Sequence, residues 1–217
     1  MRLSSWIMSK RHLHNMGLRF AILLSGRGSN MMSIADLLDD KSLDSDIALV
    51  AADKPCAGLA FASERGFETR LISYADRAKS DSEEELAQVI EAADVDYILL
   101  AGFMRVLSAD FVSRFEGRII NIHPSLLPKY KGLNTHQRAI EAGDSRHGVS
   151  VHIVTAGLDD GPIIAQDDIA IEKDDDETSL ASRLLPCEHA LYAKVITSLI
   201  KGDLVIENGK PRWQIAE

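Results

Sequence analysis

Four short apolar runs punctuate the first part of the chain: "LRFAILLSG" (18–26), "DIALVAAD" (46–53), "DYILLAG" (96–102) and "RIINI" (118–122). Each is continuous rather than alternating and is bounded by Gly, Asp or Pro, the pattern of strands covered on both faces. Between them, stretches at 29–40, 55–66, 82–93 and 108–115 carry the spacing of amphipathic helices. Ser29 and Asn30 open the first helix, and Ser108 followed by Asp110 opens the last; such side chains accept the free N–H groups of a first turn. The β-α-β-α order predicts an α/β doubly wound, mostly parallel sheet, with its site at the carboxyl ends of the strands.

The pattern changes in the second half. "HGVSVHIVTAG" (147–157) alternates with a period of two and is followed by "GPIIAQDDIAI" (161–171), so mixed or antiparallel strands are expected at one side of the sheet. Residues 176–202 form a long helical pattern in which Pro186 is expected to introduce a bend. No repeat, low-complexity segment or linker divides the chain. One domain over 18–217 is expected, behind an extension at 1–17, "MRLSSWIMSKRHLHNMG". The extension is basic but lacks the apolar core and cleavage site of a secretory signal.

Composition narrows the classes. A net charge of −9 argues against phosphate-driven nucleic-acid binding. No apolar run reaches the length of a membrane span. Cys56 and Cys187 form neither a metal spacing nor a disulfide framework, which fits a reducing cytoplasm and calls for no metal. Small-molecule substrates and a monomer or homodimer are the expectation.

Two loops carry chemistry. "LLSGRGSN" (23–30) places Gly-x-Gly at a strand-to-helix turn, where backbone N–H groups hold a phosphate. Met31 stands where a dinucleotide site wants a third small residue, so a monophosphate fits better, although Asp53 resembles the ribose-binding acid of that alternative. The second loop follows "RIINIHPSLLPKYKGLNTHQ" (118–137). Asn121 and His123 stand two apart at a strand end and project to one side, and Pro124 and Pro128 stiffen the exit. A remote acid in "GLDDGP" (157–162) would orient that imidazole and favour its cationic form. An Asn, a His and an Asp without a Ser or Cys nucleophile suggest a transfer in which the substrate itself attacks and the enzyme stabilises an oxyanion.

With "AGFMRVLS" (101–108), "NIHPSLLPKYKGLNTH" (121–136), "LDDGP" (158–162) and "SGRGSN" (25–30) in order, the chain resembles the folate-dependent formyltransferases from about residue 18 to 202. "GRGSN" narrows the resemblance to the phosphoribosylglycinamide branch. The resemblance implies a Rossmann-like fold and formyl transfer from 10-formyltetrahydrofolate to a ribonucleotide amine in de novo purine biosynthesis. By position it implies Asn121, His123 and Asp159 as the catalytic trio, and Gly28, Ser29, Asn30 and Glu188 as ribonucleotide contacts. It also implies Arg77, Met104, Arg105, Val106, Leu107 and Asn121 as folate contacts. Arg27, Lys129 and Lys131 join Arg105 as cations in the site loops. Asn134 and Asp160 depart from the pattern, standing where His and Gly are common. The tRNA-directed member, with its additional carboxy-terminal domain, is disfavoured by the acidic balance. The deformylating member is disfavoured because 17 residues are too few for its amino-terminal regulatory domain.

Overall fold

The computed structural model describes residues 17–214. The expected extension therefore lies, apart from Gly17, outside the described residues. The order is β1 (Leu18–Leu24), α1 (Ser29–Leu38), β2 (Ser45–Ala52), α2 (Ala57–Glu64), β3 (Thr69–Leu71), α3 (Lys79–Ala93), β4 (Tyr97–Leu100), α4 (Ala109–Arg114) and β5 (Ile119–His123). There follow α5 (Thr135–Glu141), β6 (Arg146–Ile153), β7 (Ile163–Ala170), α6 (Glu177–Lys201), β8 (Leu204–Glu207) and β9 (Lys210–Trp213).

Seven strands form one sheet in the order β3-β2-β1-β4-β5-β6-β7. The first five pair in parallel, whereas β6 runs antiparallel to β5 and β7 antiparallel to β6. Strand order reverses between β1 and β4, and their carboxyl ends therefore flank a crevice. The loop after β1 is tied to the loop after β4 by the Ser25 N–H donating to the Gly102 carbonyl at 3.0 Å.

Helices cover both faces. Met31, Ile34 and Ala35 of α1 and Leu191, Tyr192, Val195 and Ile196 of α6 pack on one face; Leu86 and Ile90 of α3 and Phe111 and Val112 of α4 pack on the other. The Tyr192 hydroxyl, fully enclosed, is shared between the carbonyls of Leu100 (3.3 Å) and Ile120 (3.1 Å), so α6 is tied to the ends of β4 and β5.

The helix ends follow local chemistry. Ser108 caps α4 by accepting from the Phe111 N–H at 3.2 Å. Asp176 and Ser179 form a reciprocal capping box at the start of α6, and Gly202 closes its end with φ of 76°. The helix runs unbroken through Pro186. Three elements escaped the pattern reading: β3, with three residues; α5, a short helix between two loops; and the β8–β9 hairpin.

The exit from β5 is held by buried polar contacts. Ser150 of β6, fully enclosed, donates to the Ser125 carbonyl (2.6 Å) and accepts from the Leu127 N–H (3.0 Å) and from Gln166 of β7 (2.8 Å). The Leu127–Pro128 peptide is cis. Removing the hydroxyl leaves the Leu127 N–H and the Ser125 carbonyl only their 3.1 Å bond to each other and takes one partner from Gln166. Ser150→Ala is expected to lower stability by about 1–3 kcal/mol in urea denaturation.

Candidate functional site

Strand alternation sorts β5 and β6 into two faces. Ile120, Ile122, Val149, Val151 and Ile153 join the core under α6, so Asn121, His123, Ser150 and His152 project to the opposite face. The antiparallel register sets Asn121 opposite His152 and His123 opposite Ser150. Four polar side chains thus form a stripe at the end of β5, beside the β1/β4 crevice.

The turn after β6 brings an acid to this stripe. Asp159, with φ of 46°, directs Oδ2 to within 3.5 Å of His123 Nδ1, and the same oxygen accepts from the Gly132 N–H at 2.8 Å. His123, only 6% exposed, donates from Nε2 to the Tyr130 carbonyl at 2.9 Å. The imidazole is thereby held at both nitrogens, one facing a carboxylate and the other a carbonyl on the exit loop.

His152 adds a member that sequence reasoning set aside as a strand histidine. Burial holds it below the ordinary histidine range. Its Nδ1 lies 3.0 Å from the Ile153 carbonyl, so Nδ1 carries the proton and Nε2 accepts from Asn121 Nδ2 at 3.1 Å. This fixes which end of the Asn121 amide is the nitrogen. The register between β5 and β6 is the signal that finds His152, and register is not written in either strand alone.

The phosphate-type loop takes the expected form. Gly28 has φ of 80° and lies against Gly58 of α2; an added Cβ would meet the Gly58 Cα at 2.7 Å. Both glycines are required for that close approach. Ser29 and Asn30 begin α1, so its free N–H groups point out of the loop. Asn30 donates to Glu188 of α6 at 3.2 Å, while burial pushes the Glu188 carboxyl up and the Asn30 bond opposes that rise. The expected ribonucleotide contacts therefore converge.

Residues 103–108 are pinned from below by three buried groups. Ser25 Oγ accepts from the Met104 N–H (2.8 Å), Asp53 accepts from Arg105 Nε (2.7 Å) and Glu83 of α3 accepts from the Ser108 N–H (3.0 Å). Met104 and Val106 are left exposed, as are Leu133 and Leu158, while Leu107 turns into the core. Asp53 is thus the partner of Arg105, which corrects its comparison with a ribose-binding acid. Arg77 is paired with Glu85 of α3 and makes no hydrogen bond or ion pair with residues 103–108.

Charge in the loops is mostly matched. Lys129 pairs with Asp144 at 2.8 Å and Lys131 with Asp160, which holds the Asp160 carboxyl below the usual range. The departure at 160 is therefore occupied by Lys131, and Asp159 is the carboxylate facing His123. Asn134 adopts φ of 57° at the start of α5, a conformation that Asn tolerates better than His. Among the described residues no group of His, Cys, Asp and Glu is arranged to hold a metal ion. Cavities of ≈ 280 Å³ between α3 and α4 and ≈ 390 Å³ beside Lys129, Tyr130 and Asp144 are not lined by the trio.

Residues 18–196 match the formyl transferase family. The chain is 41% identical over 189 residues to phosphoribosylglycinamide formyltransferase of Escherichia coli (strain K12), covering 86% of this chain and 89% of that protein. It is 43% identical over 192 residues to trifunctional purine biosynthetic protein adenosine-3 of Drosophila melanogaster, covering 87% of this chain but only 14% of that much longer protein. The structure of phosphoribosylglycinamide formyltransferase from Coxiella burnetii, in complex with CHES, superposes with a TM-score of 0.83 at 40% identity, over 90% of this chain and 95% of that one.

Two outcomes are expected. Gly28→Ala, which combines a positive φ with a backbone clash, lowers stability by about 1–3 kcal/mol in chemical denaturation and weakens phosphate binding by titration. His147, buried and 3.1 Å from His136, falls from 6.5 to about 4, first through burial and then through the neighbouring ring. Between those values the unfolded chain binds the extra proton, so stability present above pH 6.5 is lost as pH falls towards 4. Tm measured from pH 7 to pH 4 should fall less steeply in His147→Asn.

Proposed function

The chain belongs to the formyl transferase family, and on that premise we propose that it moves the formyl group of 10-formyltetrahydrofolate onto the amine of 5'-phosphoribosylglycinamide in purine biosynthesis. The observation that carries this reading is the convergence of Asn121, His123 and Asp159 at the carboxyl end of β5, the same end of the parallel sheet from which the Gly28–Asn30 loop and residues 103–108 leave β1 and β4. The two loops suit the two substrates. Backbone N–H groups at the start of α1 take the ribonucleotide phosphate, and Glu188 faces its ribose. Exposed Met104 and Val106 offer an apolar surface to a pterin and its linker, with Arg105 at its edge.

The chemistry follows from the side chains. The neutral amine attacks the formyl carbon, forming a C–N bond and placing negative charge on the formyl oxygen. Asn121 Nδ2, with one hydrogen given to His152, directs the other to that oxygen. The oxygen takes over the Nε2–H that His123 otherwise gives to the Tyr130 carbonyl, and His123 acts here as the cationic imidazole, its Nδ1–H directed at the Asp159 carboxylate that stabilises the positive charge. Collapse breaks the bond to the folate nitrogen, which gains a proton as the amine loses one; His123 is placed to handle both transfers. No metal enters any step.

A monomer and a homodimer are both compatible with this reading. The partners are small molecules, with no nucleic acid. Both cysteines are free, which suits a cytoplasmic enzyme. Among the described residues no helix is long and apolar enough to cross a membrane.

The test is formyl transfer from 10-formyltetrahydrofolate to glycinamide ribonucleotide, followed by product formation. Wild-type turnover supports the reading, and its absence with folate binding retained points to another acceptor. His123→Ala and Asn121→Ala should each lower kcat by about 10²–10³. Near-normal turnover in His123→Ala would remove His123 from the proposed trio.

A further inference from the structure

Arg105 is fixed in an unusual way for an exposed arginine. Its side chain is 43% exposed, yet Nε donates at 2.7 Å to an Asp53 carboxylate that is only 3% exposed. Its guanidinium also lies over the Tyr74 ring, 5.0 Å from the centroid. A carboxylate bound through Nε alone, and an aromatic face beneath, restrain the group in position and in plane. Among the described residues neither terminal nitrogen of Arg105 makes a hydrogen bond or ion pair, so the two-pronged end of the fork is free to meet an incoming group.

The support beneath it is costly in itself. Asp53 Oδ1 and the Tyr74 hydroxyl are both buried without a hydrogen-bond partner among the described residues. A buried carboxylate with one oxygen unsatisfied is not how a fold gains stability, because removing that oxygen from water is offset only by the single contact to Arg105. The arrangement makes sense if its product is the orientation of Arg105. The loop itself is already held by Ser25 and Glu83 at Met104 and Ser108, so Asp53 is not needed to anchor its backbone.

We propose that Asp53 and Tyr74 are positioning residues that preset the Arg105 guanidinium for bidentate capture of a carboxylate on the tail of the folate co-substrate. The inference rests on the folate reading above. A guanidinium fork matches a carboxylate geometrically, and prior restraint means less rotamer freedom is lost on binding. The opposite effect is also physically defined: Asp53 could mask Arg105 by neutralising it, since its charge repels the same carboxylate. The two effects have opposite signs, and measurement of affinity separates them.

The experiment is equilibrium binding of pteroylglutamate and of pteroate, which lacks the glutamate carboxylates, to the full chain, together with steady-state kinetics. Asp53→Ala is expected to raise Kd for pteroylglutamate, and KM for 10-formyltetrahydrofolate, by about 5- to 20-fold. Kd for pteroate, KM for the ribonucleotide and kcat should stay within about twofold. Asp53→Asn, which keeps an acceptor for Nε, should recover most of the loss. Tyr74→Phe should bind as wild type, whereas Tyr74→Leu, which removes the aromatic face, should weaken pteroylglutamate about 3-fold. Tighter binding by Asp53→Ala would show masking and overturn the proposal. An unchanged Kd, or an equal loss for pteroate and pteroylglutamate, would overturn it too. Wild-type protein that binds pteroylglutamate but transfers no formyl group would fail the functional reading while leaving the binding comparison decisive.

Discussion

The site depends on one pairing: the antiparallel register of β5 against β6. Every other strand contact from β1 to β5 is parallel, and a parallel neighbour would have arrived through a crossover helix. Here the chain passes through residues 124–145, including the short α5, and comes back antiparallel alongside β5, with His152 opposite Asn121 and Ser150 opposite His123. Because side chains alternate, a slip of β6 by one residue would turn Ser150 and His152 under α6 and send Val151 and Ile153 to the face that carries Asn121 and His123. The apolar face of β6 makes that slip expensive, so the core under α6 enforces the polar arrangement on the far side of the sheet.

The same logic organises the loops. Each of these loops is held by buried groups from other elements: Ser150 under the exit from β5, Ser25, Asp53 and Glu83 under residues 103–108, and the Gly58 backbone, whose N–H donates to the Gly26 carbonyl at 3.1 Å, against the turn at Gly28. Exposed loops are ordinarily the soft part of a fold. Here the scaffold reaches up into them, leaving Met104 and Val106 outward. Lys131 performs a quieter version of this by pairing with Asp160, which leaves Asp159 to His123.

Much of this was legible in the chain. Continuous apolar runs located β1, β2, β4 and β5 within a few residues, because a doubly covered strand has no polar face to disguise it. Ser108 marked the start of α4 through a side-chain bond that depends only on local sequence. Asn121 and His123 were visible because their spacing and strand-end placement are local properties. What stayed hidden was relational. His152 looks like any inward strand residue until its cross-strand partner is known, and Asp53 gains its meaning only from an arginine 52 residues away. Three-residue β3 carries too little pattern to register, and α5 begins at an Asn in a left-handed conformation rather than at a side-chain cap.

The Tyr192 hydroxyl has a consequence beyond packing. Glu188 precedes it by one helical turn on α6, and the hydroxyl spans the carbonyls of Leu100 and Ile120, the residues just before the 101–108 loop and Asn121. A single phenolic group thus indexes Glu188 against both the 101–108 loop and β5, as a dowel aligns two plates. The helix cannot slide by a fraction of a turn without losing that alignment.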